Sequence, residues 1–285
     1  LFDIIKQPSK DRYAPFDIMP MQRAYWMGQM FIQSAKLEDE STAHNDQLYS
    51  PHVYMEYEVK QIFTDQSRFK ATMEKTVEVL LRRHDILHSI MTIDGQMQTL
   101  PFDDCLNNNF HKVNMVDVDS DDVDNARLAI RRNMVEHGPN TLTGPFFDVK
   151  CSVCTKMDGK SPWGVIHISV SLFVMDGRTE RLLRDEVSTI FTALLKDSID
   201  IETLFKPYET KLSFRDYAIS STQITKSIEY KNALLYWESR LPELPSPPDL
   251  PLLNPDVVTS EVIHYGGTLD LNRWEKIKRL SGNLG

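Results

Sequence analysis

The chain has 285 residues, 41% of them hydrophobic and 26% charged, which fits a globular protein with a sizeable core and leaves room for one large domain or two smaller ones. A formal net charge of -9 argues against a nucleic-acid partner, because displacing counterions from phosphates takes clustered Lys and Arg. The longest apolar runs fall short of the roughly 20 residues that cross a bilayer, and the opening "LFDIIKQPSKDRY" lacks the apolar core of a signal peptide, so no membrane partner and a cytoplasmic location are expected.

In chain order, "PFDIMPMQRAYWMGQM" (15–30) sets Met21, Ala24, Tyr25 and Gly28 at helical spacing after Pro and Asp, predicting a short helix with one apolar face. "HVYMEYEV" (52–59) alternates Val53, Met55, Tyr57 and Val59 with His52, Tyr54, Glu56 and Glu58, the pattern of a half-buried strand. Asp65 can cap the next helix, where Phe69, Met73, Val77, Leu80 and Leu81 recur up to the basic "RRHDIL". "LHSIMTI" and "FFDVKCSV" read as strands, and between them Val123, Ala126, Ile130 and Met134 mark a helix ended by Gly138.

"HISVSLFVMDGRTE" (167–180) is a strand that is polar on one face: His167, Ser169 and Ser171 share one side, Ile168, Val170 and Leu172 the other. Asp176-Gly177 then reads as a turn pair. A helix follows with Leu182, Leu183, Val187, Ile190, Phe191, Leu194 and Leu195 on one side. Residues 196–211 are polar and read as a crossover between lobes. "YKNALLYWESRL" is a further helix, whereas "PELPSPPDLPLL" carries five prolines from Pro242 to Pro251 and predicts an extended path over the surface. Interspersed strands and helices give an α/β or mixed α+β class.

Three cysteines, Cys105, Cys151 and Cys154, suit a reducing compartment better than a disulfide framework, and a lone C-x-x-C without a second pair is weak support for zinc. "DVDSDDVD" puts Asp117, Asp119 and Asp121 at the first, third and fifth positions of a calcium loop, but Asp122 and Leu128 replace the required Gly and Glu, so no metal is expected. G-x-G-x-x-G, P-loop, H-E-x-x-H and G-x-S-x-G motifs are absent from the sequence. His84 follows a helix, where basic residues complement the carboxyl-end dipole. The polar strand face has two readings, a buried network linking strand and turn or the lining of a cleft.

These segments carry a resemblance. "PFDIMPMQRAYWMGQ", "HVYMEYEV", "RRHDIL", "GPFFDVKCSV", "HISVSLFVMDGRT", "LSFRDYAI", "YWESRLPELPSPPDLPL" and "GGTLDLNRWEKIKRL" resemble, in order, the motifs of the heterocyclization domains of nonribosomal peptide synthetases, a branch of the condensation-domain superfamily. The last of them is expected to form a strand and a helix. The resemblance implies a two-lobed fold like that of chloramphenicol acetyltransferase, with the active site in a tunnel between the lobes. Residues 1–14 would be an extension and 15–200 the amino-terminal lobe. Residues 201–285 would form the crossover, the Pro-rich connector and the start of a second lobe left incomplete.

The resemblance further implies that upstream and downstream peptidyl or aryl carrier proteins deliver substrates on phosphopantetheine arms, with no cofactor bound directly and an adenylation domain in the same parent chain. The reaction joins an acyl or peptidyl group to Cys, Ser or Thr and cyclodehydrates the product to thiazoline or oxazoline, rings whose iron chelation suggests siderophore assembly. The family's core motif is D-x-x-x-x-D. Ser171 stands at its first acid and Asp176 at its second, with His167, Ser169, Gly177, Arg178, Thr179, Arg83 and His84 expected to support the tunnel. A hydroxyl cannot hold negative charge near neutral pH, so Ser171 implies a weakened domain. The rival it favours is an inactive docking domain for carrier proteins. A third reading, an acyltransferase acting on a free amine or alcohol, would be expected to keep a His where Leu172 stands. The chain alone, with one tunnel wall missing, is expected to make no ring product.

Overall fold

A computed structural model describes residues 11–37, 51–59, 65–118, 122–154, 163–196, 212–246 and 267–284, together with Ile4, Lys6 and Pro8. The strands are β1 (Phe16–Asp17), β2 (His52–Glu58), β3 (Ser89–Met91), β4 (Gln96–Thr99), β5 (Asn114–Asp117), β6 (Phe147–Cys154) and β7 (Trp163–Ser171). The helices are α1 (Pro20–Leu37), α2 (Gln66–Arg83), α3 (Phe102–Asn107), α4 (Val123–Glu136), α5 (Gly177–Leu195), α6 (Phe214–Ser221), α7 (Ile228–Arg240) and α8 (Leu271–Leu284). The chain divides into two compact units, Leu1–Asn232 and Ala233–Gly285.

The first unit is organised by a mixed sheet of order β2-β7-β6-β5, antiparallel except for the parallel pair β5 and β6. Alternation in β7 turns Ile166, Ile168 and Val170 to one face, where Met55 and Tyr57 of β2, α2 and α5 meet them. Phe69, Met73, Val77, Leu80 and Leu81 of α2 are buried there, as the 3.6-residue period requires. Asp65 caps α2 as expected, its carboxylate accepting the Ser67 N–H at 2.8 Å. The α5 stripe is buried at Leu183, Val187, Ile190 and Phe191, while Leu182 faces solvent. Between sheet and helices lies an apolar void of about 40 Å³, bounded by residues such as Met73, Ile168 and Leu183.

A three-stranded antiparallel sheet, β1-β4-β3, completes the unit. Its strand β4, "QMQT", is too short and polar for alternation to reveal; only Met97 and Thr99 turn inward. The mixed helix–sheet architecture agrees with the class expected from sequence.

Three local expectations change. Helix α1 starts at Pro20 and runs to Leu37, because Phe16 and Asp17 pair with β4. Its inner face is Gln22, Tyr25, Trp26 and Gln29, whereas Met21 is 64% exposed, so the apolar pattern points the wrong way there. Helix α6 belongs to the first unit, where Phe214 N–H donates to Asp85 Oδ2 at 3.1 Å and Arg215 Nε to Ala14 O at 3.1 Å. Pro242 sits in a 3-10 turn, Leu241–Glu243, that continues α7, since proline is well placed in a first turn where no N–H is needed.

Residues 244–246 have no regular structure, and the rest of the Pro-rich stretch and the polar 197–211 stretch lie outside the described residues. In the second unit α8 is capped by Asp270, whose Oδ1 accepts the Arg273 N–H at 2.9 Å. The strand expected ahead of α8 is not found in residues 267–270.

Candidate functional site

The site is built where β7 runs out. Ser171 N–H still bonds Phe146 O, and Leu172 N–H bonds Pro51 O, both at 2.8 Å. Beyond this the chain folds back on Ser171: its hydroxyl accepts the Phe173 N–H at 3.1 Å and its carbonyl the Val174 N–H at 3.1 Å. This is a side-chain-closed turn, a task a carboxylate at the same position could also perform. What the hydroxyl lacks is the charge. The Phe173 carbonyl accepts the Gln22 side-chain amide at 2.6 Å, and its ring stacks on Phe146 and meets Tyr25 edge-on, with centroids 5.7 and 6.0 Å away.

At the far end of the turn Asp176 is exposed and is the N-cap of α5. Its Oδ1 accepts the N–H groups of Thr179 (2.7 Å) and Arg178 (3.1 Å) and the Thr179 hydroxyl (2.8 Å). The donors at Thr179, ahead of that at Arg178, hold the carboxyl below its ordinary range. The Asp-Gly pair is thus a helix start instead of a loop turn, and a Cβ on Gly177 would meet nothing within 4 Å. Ser171 and Asp176 bracket one turn, with Arg178 and Thr179 in the next helical turn.

The other polar strand residues form a relay. His167, Ser169 and Ser171 are fully buried. Register places His52, Tyr54 and Glu56 of β2 opposite Ser171, Ser169 and His167. Tyr54 donates its hydroxyl proton to Glu56 Oε1 at 2.6 Å, so His167 Nδ1 must carry the proton it shares with the Tyr54 oxygen at 2.7 Å. Nε2 then accepts from the Ser152 hydroxyl at 2.7 Å. Burial, and then the Arg127, Arg131 and Lys150 charges against the opposing pull of Glu56, push the imidazole down to about 4, so it is neutral at physiological pH.

Glu56 is gripped from α4. Arg131 binds it bidentately, Nε to Oε1 at 2.9 Å and Nη2 to Oε2 at 2.6 Å, and Arg127 Nε adds 2.9 Å to Oε2. Burial opposes the ionised form, but the bonds from Arg131, Tyr54 and Arg127 outweigh it and bring Glu56 to about 2. Helix α4 therefore crosses the polar face, and the buried-network reading holds for His167; no open cleft reaches these three strand side chains among the described residues. Ser169 Oγ is buried with no partner among the described residues.

Arg83 and His84 sit elsewhere, at the end of α2. Both meet the buried Glu186 of α5: Arg83 Nε lies 2.7 Å from Oε1, a charge contact without hydrogen-bond alignment, and His84 Nε2 lies 2.5 Å from Oε2. They brace the two core helices. Sequence reading missed Gln22, Tyr54, Glu56, Ser152 and Glu186; the polar side of β2 was visible, but only register tells which strand residue each faces. Cys151 and Cys154 are three apart on one strand and face opposite ways, so they cannot chelate together, and no metal-binding cluster occurs among the described residues. Burial pushes the Cys105 thiol up to about 12, which leaves it inert.

No family model matches the chain. It is 24% identical over 240 residues to phenyloxazoline synthase MbtB of Mycolicibacterium paratuberculosis, covering 84% of this chain and 18% of that protein. Among solved structures, the cyclization-docking bidomain of the EpoB peptide synthetase from Sorangium cellulosum superposes with a TM-score of 0.62 at 20% identity, over 98% of this chain and 50% of the other. The fold is that of the condensation and cyclization domains of nonribosomal peptide synthetases. The chain spans half of the EpoB bidomain and under one fifth of MbtB. The same fold matches the X-domain solved in complex with OxyB from teicoplanin biosynthesis, with a TM-score of 0.53 at 14% identity over 87% of this chain. No helix among the described residues is long and apolar enough to cross a membrane.

Proposed function

We propose that this chain serves as a heterocyclization-type condensation domain of a nonribosomal peptide synthetase, acting on thioesters borne by the phosphopantetheine arms of upstream and downstream carrier proteins. The observation that carries the reading is the turn from Ser171 to Asp176, whose ends stand, by the sequence resemblance, at the two positions of a D-x-x-x-x-D motif; the match of the fold to a cyclization bidomain supports it. The likeness to a phenyloxazoline synthase supports an oxazoline product, and the iron-binding capacity of such rings is the ground for a use in siderophore assembly.

Two steps are required. The acceptor amine attacks the donor thioester carbon, the C–S bond breaks and the departing thiol takes the amine's proton. The Cys, Ser or Thr side chain then attacks the new amide carbon, and the carbonyl oxygen leaves as water with the protons of the side chain and the amide nitrogen. In this reading Asp176 holds the loop and leaves proton transfer to other groups, since three donors stabilise its anion and a good general acid needs a raised pKa. Ser171 keeps the turn closed without adding charge, and the site, one carboxylate short of the motif, works slowly.

A docking domain that recruits carriers without chemistry is the second reading, favoured by Ser171 in place of an acid and by the X-domain likeness. The two are separated by loading donor and acceptor carriers, adding the synthetase that contains this chain, and weighing what the acceptor carries. An acylated Cys, Ser or Thr supports chemistry; carrier binding with an unchanged acceptor supports docking alone.

A further inference from the structure

We infer that Gln22 of α1 is a positioning residue that clamps the Ser171–Asp176 turn; its kinetic consequence rests on the heterocyclization reading above. Burying a primary amide is costly unless its groups are satisfied, yet Gln22 is only 6% exposed while Met21 beside it points to solvent. The side chain is used at both ends. Gln22 Oε1 accepts the Met19 N–H at 2.9 Å, which fixes the start of α1. Gln22 Nε2 donates to the Phe173 carbonyl at 2.6 Å, a link across 151 residues of sequence. Local helix capping explains the first bond and gives no reason for the second.

The second bond lands where the turn is otherwise held from within. The Phe173 N–H is held by Ser171, its ring by Phe146 and Tyr25, and its carbonyl by Gln22, so three elements fix one residue in the middle of the motif. Tyr25 lies one helical turn after Gln22, so α1 supplies both the polar and the aromatic hold. Loss of the amide frees the carbonyl and lets the turn shift relative to β7. A displacement near 1 Å at such a place costs about 100-fold in rate when reacting groups must be aligned.

The test uses the full synthetase containing this chain, with Gln22→Met and Gln22→Glu. The Met variant keeps length and burial but loses both bonds. Exchange of the Phe173 and Val174 amides should speed by about tenfold, with the sheet amides unchanged. Turnover should fall by at least about tenfold with unchanged KM for both carriers. The Glu variant keeps the Met19 acceptor and can donate to Phe173 only when protonated, so its turnover relative to wild type should recover as pH falls. A residue needed only for the start of α1 would leave the Glu variant equal to wild type at every pH. Unchanged exchange at 173 and 174 in the Met variant overturns the clamp, and faster exchange with unchanged turnover overturns the positioning role. If the unsubstituted synthetase makes no product, the proposed function fails, and the exchange measurement alone decides whether Gln22 holds the turn.

Discussion

His52 on β2 stands directly across from Ser171 on β7, on the polar face of the sheet, with its Nε2 at 2.9 Å from the Met134 carbonyl of α4. Cross-strand neighbours of this kind bring their Cβ atoms within about 5 Å, so a carboxylate at 171 would face an imidazole. Ser171→Asp should therefore keep the Phe173 turn and gain an ionic partner. In the variant the His52 ring signals should move from their wild-type positions, read by NMR, and stability near neutral pH should stay close to wild type, because a buried carboxylate is tolerated when it is paired. Unmoved His52 signals together with a lower melting point would rule the pairing out.

The His167 relay predicts acid sensitivity. Its imidazole is held down to about 4 against an ordinary 6.5. As pH falls from 6.5 toward 4 the unfolded chain takes up a proton that the folded chain refuses, so stability declines over that window, by on the order of 3 kcal/mol in all. Glu56, near 2 against an ordinary 4.5, extends the decline at still lower pH. Denaturant melts from pH 7 to 4 should show the loss, and His167→Gln, which has no proton to gain, should flatten the 6.5-to-4 segment. A wild-type curve already flat there would contradict the neutral buried imidazole.

Tyr54→Phe should cost about 1–3 kcal/mol, since it leaves the His167 Nδ1–H without its acceptor and removes one donor from Glu56. The loss should appear in the urea midpoint with an unchanged slope.

Glu186→Ala should cost about 3 kcal/mol by removing the buried carboxylate that Arg83 and His84 share at the α2–α5 contact, since breaking a buried ion pair is costly. Glu186→Gln should cost less, as it keeps the side chain's shape and one acceptor oxygen at the contact. Equal losses in the two variants would mean that charge alone, and not shape or hydrogen bonding, holds the contact.

The long elements were legible because their periods are enforced by burial. Helix α2 shows five of its six buried apolar positions and its Asp65 cap in sequence, and β2 and the Ile166–Ser171 part of β7 alternate. Short elements were not: β4 has two inward residues, and α6 is fixed by the tertiary bond from Phe214 to Asp85. Helix α1 was misread on its face because Gln22 is drawn inward by a distant carbonyl. At the site, the polar strand face and the ends of the turn were visible, whereas the order Ser152, His167, Tyr54, Glu56 depends on register and on side chains from three elements.

The central claim, that the turn of Ser171 and Asp176 belongs to a domain making amides and rings, is tested most directly by following carrier-bound products by mass over time in the full synthetase, wild type beside Ser171→Asp. The account predicts a condensed product followed by a species lighter by one water in both proteins, forming faster in Ser171→Asp. Loaded carriers that bind both proteins, with neither the amide nor the water loss appearing in either, would contradict it.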